Sequence, residues 1–335
     1  MRKPLVTLAS ALCLAGSLLA TGCAADVAGA ASSPAQPPQD RSSRPAVPDG
    51  RPGASTTGSG TPSTAPGSPG GSAPNLPASS STTAGTGPQG AAHHAPRALL
   101  HAGYDQGAPD SGIPGLTATN ATAPDAAGPV RPGFRSRYGI MHKVVLGDDG
   151  YVSDGAPRSE SATDKVAAAR FRVGDVRRYE FSVLLKDWQA YREGDPASVD
   201  ILFQGKPTNS NPPSFFLAAK RNAIVFRDPG LDLQSPVVAD YRPYVGRWMR
   251  FRVDVRWADD NTGSYRISTL LPGQSAFRLK QAYPRTKTWH PDNPAQYGYV
   301  KWGLYRPDSS LENGSVRTRV VHHDDIRISD PRGSS

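Results

Sequence analysis

Two tyrosines and a lysine in the run Tyr299–Arg306 have the spacing of a reactive strand face, since alternation puts Tyr299, Lys301 and Tyr305 on one side. Val300, Trp302 and Leu304 fall on the other side, so the run reads as a half-buried strand with an apolar back. Gly303 leaves no side chain between Lys301 and Tyr305. A phenol beside an ammonium has its phenolate favoured, and a phenolate can take a proton from carbon. A second run alternates Asp200, Leu202, Gln204 and Lys206 with Val199, Ile201 and Phe203. Its Gln204 could hydrogen-bond a sugar carboxylate or simply close an edge strand. Arg158-Ser159-Glu160 places a guanidinium and a carboxylate on one strand face, where they could pair with each other or meet a substrate acid.

The histidines offer less. His290, between Trp289 and Pro291, reads as a loop residue that could border a cleft with Trp289 as a stacking platform, or as part of an ordinary loop. His322-His323-Asp324-Asp325 has metal-ligating types, but a strand sends consecutive residues to opposite faces, leaving two per side; a polar end to a terminal strand is expected. His142 sits in an apolar run and reads as packed, and the adjacent His93 and His94 read as solvated. Other chemistries lack their residues. The glutamates are Glu160, Glu180, Glu193 and Glu312, without the paired-carboxylate strand of common sandwich-fold glucanases. Gly-rich phosphate loops, Gly-x-Ser-x-Gly and His-Glu-x-x-His are also missing.

The N-terminus predicts export. Arg2 and Lys3 precede an apolar stretch from Leu5 to Leu19, too short for the roughly 20 residues of a membrane span. Ala20-Thr21-Gly22-Cys23 resembles the lipobox of bacterial lipoproteins, which implies acylation at Cys23, a signal peptide over 1–22 and an anchor on the outer face of the membrane. Cys13 lies within that signal, so the mature chain has no thiol for a disulfide, a zinc site or a nucleophile. Residues 23–96 are rich in Ser, Pro, Gly, Ala and Thr and read as a disordered linker. Five basic and three acidic residues precede Arg97, which leaves about +7 of the net +9 charge on the remainder. A basic surface suits a polyanion such as nucleic acid, anionic lipid or acidic polysaccharide, or is merely soluble. Nucleic acid is disfavoured because most aromatic residues alternate as core positions.

The elements that must position these residues are strands. Tyr179 to Leu185, Val199 to Gln204, Ser214 to Ala219, Asn222 to Phe226, Trp248 to Trp257, Ser264 to Leu271, Tyr299 to Arg306 and Arg317 to Ile328 are the candidates. Met249, Phe251, Val253, Val255 and Trp257 alternate with Arg250, Arg252, Asp254 and Arg256, one side dry and the other wet. The arginines read as solvated charges or as a binding stripe. Lys165 to Ala169 is the one helical fragment. Many short strands after residue 97 predict a single all-β sandwich.

These segments resemble, over most of residues 97–330, the heparin lyase-like polysaccharide lyases, a group that includes heparin lyase I and glucuronan lyases. The likeness rests on Ala102-Gly103-Tyr104-Asp105-Gln106-Gly107, Arg158-Ser159-Glu160, Tyr179 to Leu185, Gly246-Arg247-Trp248 and Tyr299 to Arg306, in that order. It implies a concanavalin-like β-jelly roll over 97–335 with an acidic polysaccharide lying across the concave sheet. It implies β-elimination at a uronate: the carboxylate is neutralised, the C5 proton removed and the C4 oxygen expelled. By resemblance Tyr305 carries base and acid duty, Lys301 tunes it or holds substrate, and Gln204 neutralises the carboxylate. Arg158, Glu160, Lys206, Tyr299 and His290 would contact or brace the glycan. Many members carry a histidine base where this chain has Lys206, so Tyr305 performs both transfers or the domain binds without cutting. No cofactor or catalytic metal is predicted, structural calcium is left open, and a monomer is expected that meets membrane only through its anchor.

Overall fold

The computed structural model describes residues 95–210 and 212–333. The signal peptide, Cys23, His93, His94 and nearly all of the linker lie outside the described residues. Fifteen strands follow in order: β1 (Arg97–Ala102), β2 (Ala127–Val130), β3 (Gly139–Val145), β4 (Val152–Ser153), β5 (Ala156–Ala162), β6 (Val176–Lys186), β7 (Val199–Pro207) and β8 (Phe215–Lys220). Then come β9 (Ala223–Asp228), β10 (Leu233–Val238), β11 (Met249–Arg256), β12 (Ser264–Leu270), β13 (Arg278–Pro284), β14 (Gly298–Tyr305) and β15 (Thr318–Asp330). They form two antiparallel sheets in a β-sandwich jelly roll. The first sheet runs β13-β12-β11-β6-β15-β3-β2 with β1 also on β15, and the second runs β10-β9-β8-β7-β14-β5-β4. Among the described residues no helix is long and apolar enough to cross a membrane.

Alternation explains the sandwich. Met249, Phe251, Val253 and Val255 are at most 1% exposed and point between the sheets, while Arg250, Arg252 and Asp254 point away. Phe181 of the first sheet stacks on Phe203 of the second at 4.2 Å, and Phe171 stacks on Trp257 at 3.8 Å. Large aromatic faces in contact across the layers remove much apolar area from water and set the sheet spacing.

Three details differ from the sequence reading. The Lys165 to Ala169 fragment supplies only a 3-10 turn at Ala167–Ala169. The last strand is terminal in sequence but central in its sheet, flanked by β6 and β3. That placement buries His322, His323 and Asp324 instead of leaving them as a polar end. Strict alternation also fails in β7, because its register with β8 shifts between Ile201 and Phe203. The bulge puts both Leu202 and Phe203 in the main core and turns Val199 and Ile201 to the outer face. Asp200 therefore leaves the face it would share with Gln204 and meets Arg306 instead, accepting a 2.9 Å bond from its Nε.

Candidate active site

The outer face of the second sheet gathers the residues singled out above. In register, Lys301 of β14 lies opposite Gln204 of β7, and Tyr299 opposite Lys206. On the other flank of β14, Tyr305 lies opposite Arg158 and Gly303 opposite Glu160 of β5. Glu160 is the hub. It is 3% exposed, with Oε1 accepting a 2.6 Å bond from Gln204 Nε2. Its Oε2 lies 3.2 Å from Lys301 Nζ and 3.6 Å from Arg158 Nε. Asp154, in the turn before β5, supplies a second acid, 2.9 Å from Arg158 Nη1 and 3.5 Å from Lys301 Nζ. Sequence reasoning missed Asp154; its signal is the Asp154-Gly155 pair, a turn dipeptide beside a charged strand.

The cation against Tyr305 is Arg158, whose guanidinium carbon stands 3.8 Å from the ring centroid, a cation–π contact. Lys301 is four residues away along the strand, about 13 Å at a strand's rise, and is engaged by Glu160 and Asp154. Tyr305 itself rests on an apolar patch of Val199, Ile201, Phe216, Ala218 and Val225. Gly303 serves β5 and not the open face. A Cβ there would stand 2.4 Å from the Ser159 carbonyl oxygen, 2.7 Å from Glu160 Cα and 3.1 Å from the buried His142 ring, and its φ of +144° also favours glycine.

The cluster is densely charged: Arg158, Lys301 and Lys206 lie among Glu160 and Asp154, and most of the groups are buried. Burial and then the charges of Lys301 and Arg158 lower the Lys206 ammonium from its ordinary value. The Tyr299 phenol moves the other way: burial, then Asp164, Glu160 and Asp154, push it up to about 12, so it stays a hydrogen-bond donor at neutral pH. A cleft of about 240 Å³ opens along this face, its walls including Arg158, Gln204, Lys206 and Tyr305 with Pro212, Pro213, Pro229 and Pro307 from flanking loops.

The structure does not bring His290 into the cluster. Its Nε2 is 2.8 Å from Asp228 Oδ1 and its ring packs against Gly230. Trp289 is not a stacking platform, being 8% exposed and edge-on to Trp257 and Phe171 in the core. Gln204 does not close an edge, since β7 lies between β8 and β14. His142 is packed between the sheets, with Ser159 Oγ 3.1 Å from its Nδ1. Burial pushes it down to about 3, so it is neutral. His323 Nε2 lies 3.0 Å from the Leu202 carbonyl oxygen, and burial likewise holds its pKa far below the ordinary value. Among the described residues no three His, Cys, Asp or Glu side chains are grouped to hold a metal ion.

The second sheet thus carries a tyrosine- and arginine-bearing cleft on its outer face. Residues 119–327 match the polysaccharide lyase family, and the chain belongs to it. The fold is similar to that of the endo-β-1,4-glucuronan lyase of the fungus Trichoderma reesei, at 16% identity and TM-score 0.46, over 66% of this chain and 96% of that one. It is also similar to the marine alginate lyase of Aplysia kurodai, at 9% identity and TM-score 0.47, over 69% of this chain and 98% of that one. A third likeness is to the alginate lyase of Klebsiella pneumoniae, at 10% identity and TM-score 0.41, over 58% and 81% of the two chains. No curated protein matches.

Proposed function

We propose that the cleft cleaves a uronate-containing acidic polysaccharide by β-elimination, as a member of the heparin lyase-like group. The observation that carries this reading is the gathering of Arg158, Lys301 and Lys206 beside Tyr305 on an apolar floor. A carboxylate entering the cleft is attracted there, and neutralising it acidifies the C5–H bond. Tyr305 takes the C5 proton on its phenolate oxygen and returns a proton to the departing O4, so the C4–O4 bond breaks, the C4–C5 double bond forms and the tyrosine is regenerated. Arg158, face-on to the ring at 3.8 Å, is the cation stacked on Tyr305 during the transfer. Lys206 ligates the carboxylate; Tyr299, held protonated, donates to the sugar. Gln204 and Glu160 hold Lys301 and Arg158 in place, Gln204 keeping a second amide N–H for the carboxylate.

A second reading is a glycan-binding module that does not cut. It is favoured by Lys206, a cation where many relatives of this group carry a histidine base, and by the engagement of the Gln204 amide with Glu160. The two separate in one assay. Wild type and Tyr305→Phe are incubated with heparin, glucuronan, alginate and hyaluronan, and the unsaturated uronate product is followed by ultraviolet absorbance. Product from wild type but not from Tyr305→Phe supports elimination; binding of a polymer with no product from any supports the module. As part of the same proposal, export and acylation at Cys23 hold the domain at the outer face of the membrane, and Cys23→Ser releases it from the membrane fraction.

A further inference from the structure

One end of the sandwich, next to the cleft, holds a cavity of about 260 Å³ whose charges do not balance. Its floor is Asp200 between two guanidinium groups. Arg306, 1% exposed, donates from Nε to Asp200 Oδ1 at 2.9 Å, while Arg319 Nε stands 3.7 Å from Oδ2. Both Nε and Nη1 of Arg319 are buried without a hydrogen bond, and its guanidinium lies over the Trp188 ring at 4.5 Å. Arg192 and Arg221 stand at the rim opposite a single further acid, Asp195. Four arginines thus face two aspartates. Two buried cations sharing one carboxylate are costly unless an anion joins them. The cavity adjoins the cleft across a shared wall: Ser198 Oγ bonds the carbonyl oxygen of Asp308, which lines the cleft, and Ser315 Oγ at 3.1 Å.

We propose that this end cavity is a second binding site, which takes the carboxylate of one uronate ring. The carboxylate lies across Arg319 and Arg306, and the ring sits by Trp188 beneath the Arg221 rim. The volume falls just short of the roughly 300 Å³ at which pockets for larger ligands begin, which suits one sugar ring and not several. Arginine is the residue for such a role, because its planar fork holds a carboxylate through two bonds. The choice of a uronate rests on the reaction proposed above; the excess of cations does not.

The test titrates sodium glucuronate, glucose and sodium sulfate by calorimetry into the full chain carrying Tyr305→Phe, which prevents turnover. Glucuronate is expected to bind saturably, about tenfold more weakly after Arg319→Gln and less affected by Arg319→Lys. Lys206→Met, in the cleft, leaves that binding in place, and Arg319→Gln in the wild-type background leaves polymer cleavage in place. Circular dichroism confirms that each variant is folded, and Arg221→Gln at the exposed rim is a second variant free of core contacts. Equal binding of glucuronate by Arg319→Gln and Arg221→Gln, or its loss in Lys206→Met, overturns the proposal. Sulfate binding as tightly as glucuronate overturns the sugar part of it. Should glucuronate binding depend on Arg319 while no polymer is cleaved by wild type, the end site stands and the lyase reading falls.

Discussion

The outer faces of the two sheets are made from the same residue types and differ in what surrounds them. On the first sheet, Arg252 pairs with Glu180 at 2.6 Å, Arg178 with Asp254 at 2.6 Å and Arg250 with Asp325 at 3.3 Å. Most of these side chains keep a fifth or so of their surface in water; Arg252 and Arg178 each have an acid on the neighbouring strand, and Arg250 shares Asp325 with Arg327. This is a partly exposed ladder of ion pairs, of the sort that contributes little to stability or binding. On the second sheet, Glu160 is shared by Lys301 and Arg158, at side-chain exposures of 1%, 6% and 7%. Partly exposed pairs have their charges screened by water; a loop-walled face whose charges are mostly buried keeps a field that a carboxylate can feel.

The difference can be broken from either side. Removing the hub should have the largest effect: Glu160→Gln leaves Lys301 and Arg158 buried with less compensation and is expected to cost about 3–5 kcal/mol, read as a lower denaturant midpoint. A loss below about 1 kcal/mol would make the cleft cluster no different from the ladder. Acid should act on the buried histidines of β3 and β15. His142 and His322 are pushed down by burial to about 3 and about 4, and His323 well below its ordinary value. Each depressed histidine contributes stability that is whole above its unfolded pKa near 6.5 and is lost as pH falls through the folded value. Asp324, pushed up to about 6 by burial, opposes them, since its folded form gains a proton first as pH falls. With three histidines against one aspartate, stability should decline below about pH 6.5, by about 1.4 kcal/mol per pH unit for each net proton. Urea melts between pH 7 and 5 that show no decline would contradict the neutral core histidines. The smallest effect belongs to the ladder: Arg252→Gln should change stability by less than about 1 kcal/mol and leave polymer cleavage unaltered.

Much of this contrast is written in local sequence. The period-2 pattern of Met249–Trp257 places one wall of the core, and the alternation of Tyr299–Tyr305 puts Tyr299, Lys301 and Tyr305 on one face as the strand requires. What is not legible locally is pairing. The edge strands β10, with Pro236 inside it, and β13, polar and half exposed, carry no apolar stripe and escape notice. The bulge in β7 depends on its neighbours, so alternation puts Asp200 on the face of Gln204 when it belongs to the end cavity. The identity of the cation on Tyr305 is decided across strands as well: Lys301 is nearer in sequence, but Arg158 is opposite in register. His290 fails for a similar reason, because only the tertiary fold reveals Asp228 as its partner.

The central claim is that the clustered cations of the second sheet hold a uronate with its C5–H at Tyr305. The most direct measurement is a crystal structure of Tyr305→Phe with a tetrasaccharide of the polymer from which wild type releases most product. The account predicts a sugar carboxylate on Lys206 and the Arg158–Lys301 pair, with C5 over the edge of the ring at position 305. A tetrasaccharide lying along the arginine ladder of the first sheet, or crossing the cleft with its carboxylates turned to solvent, would contradict it.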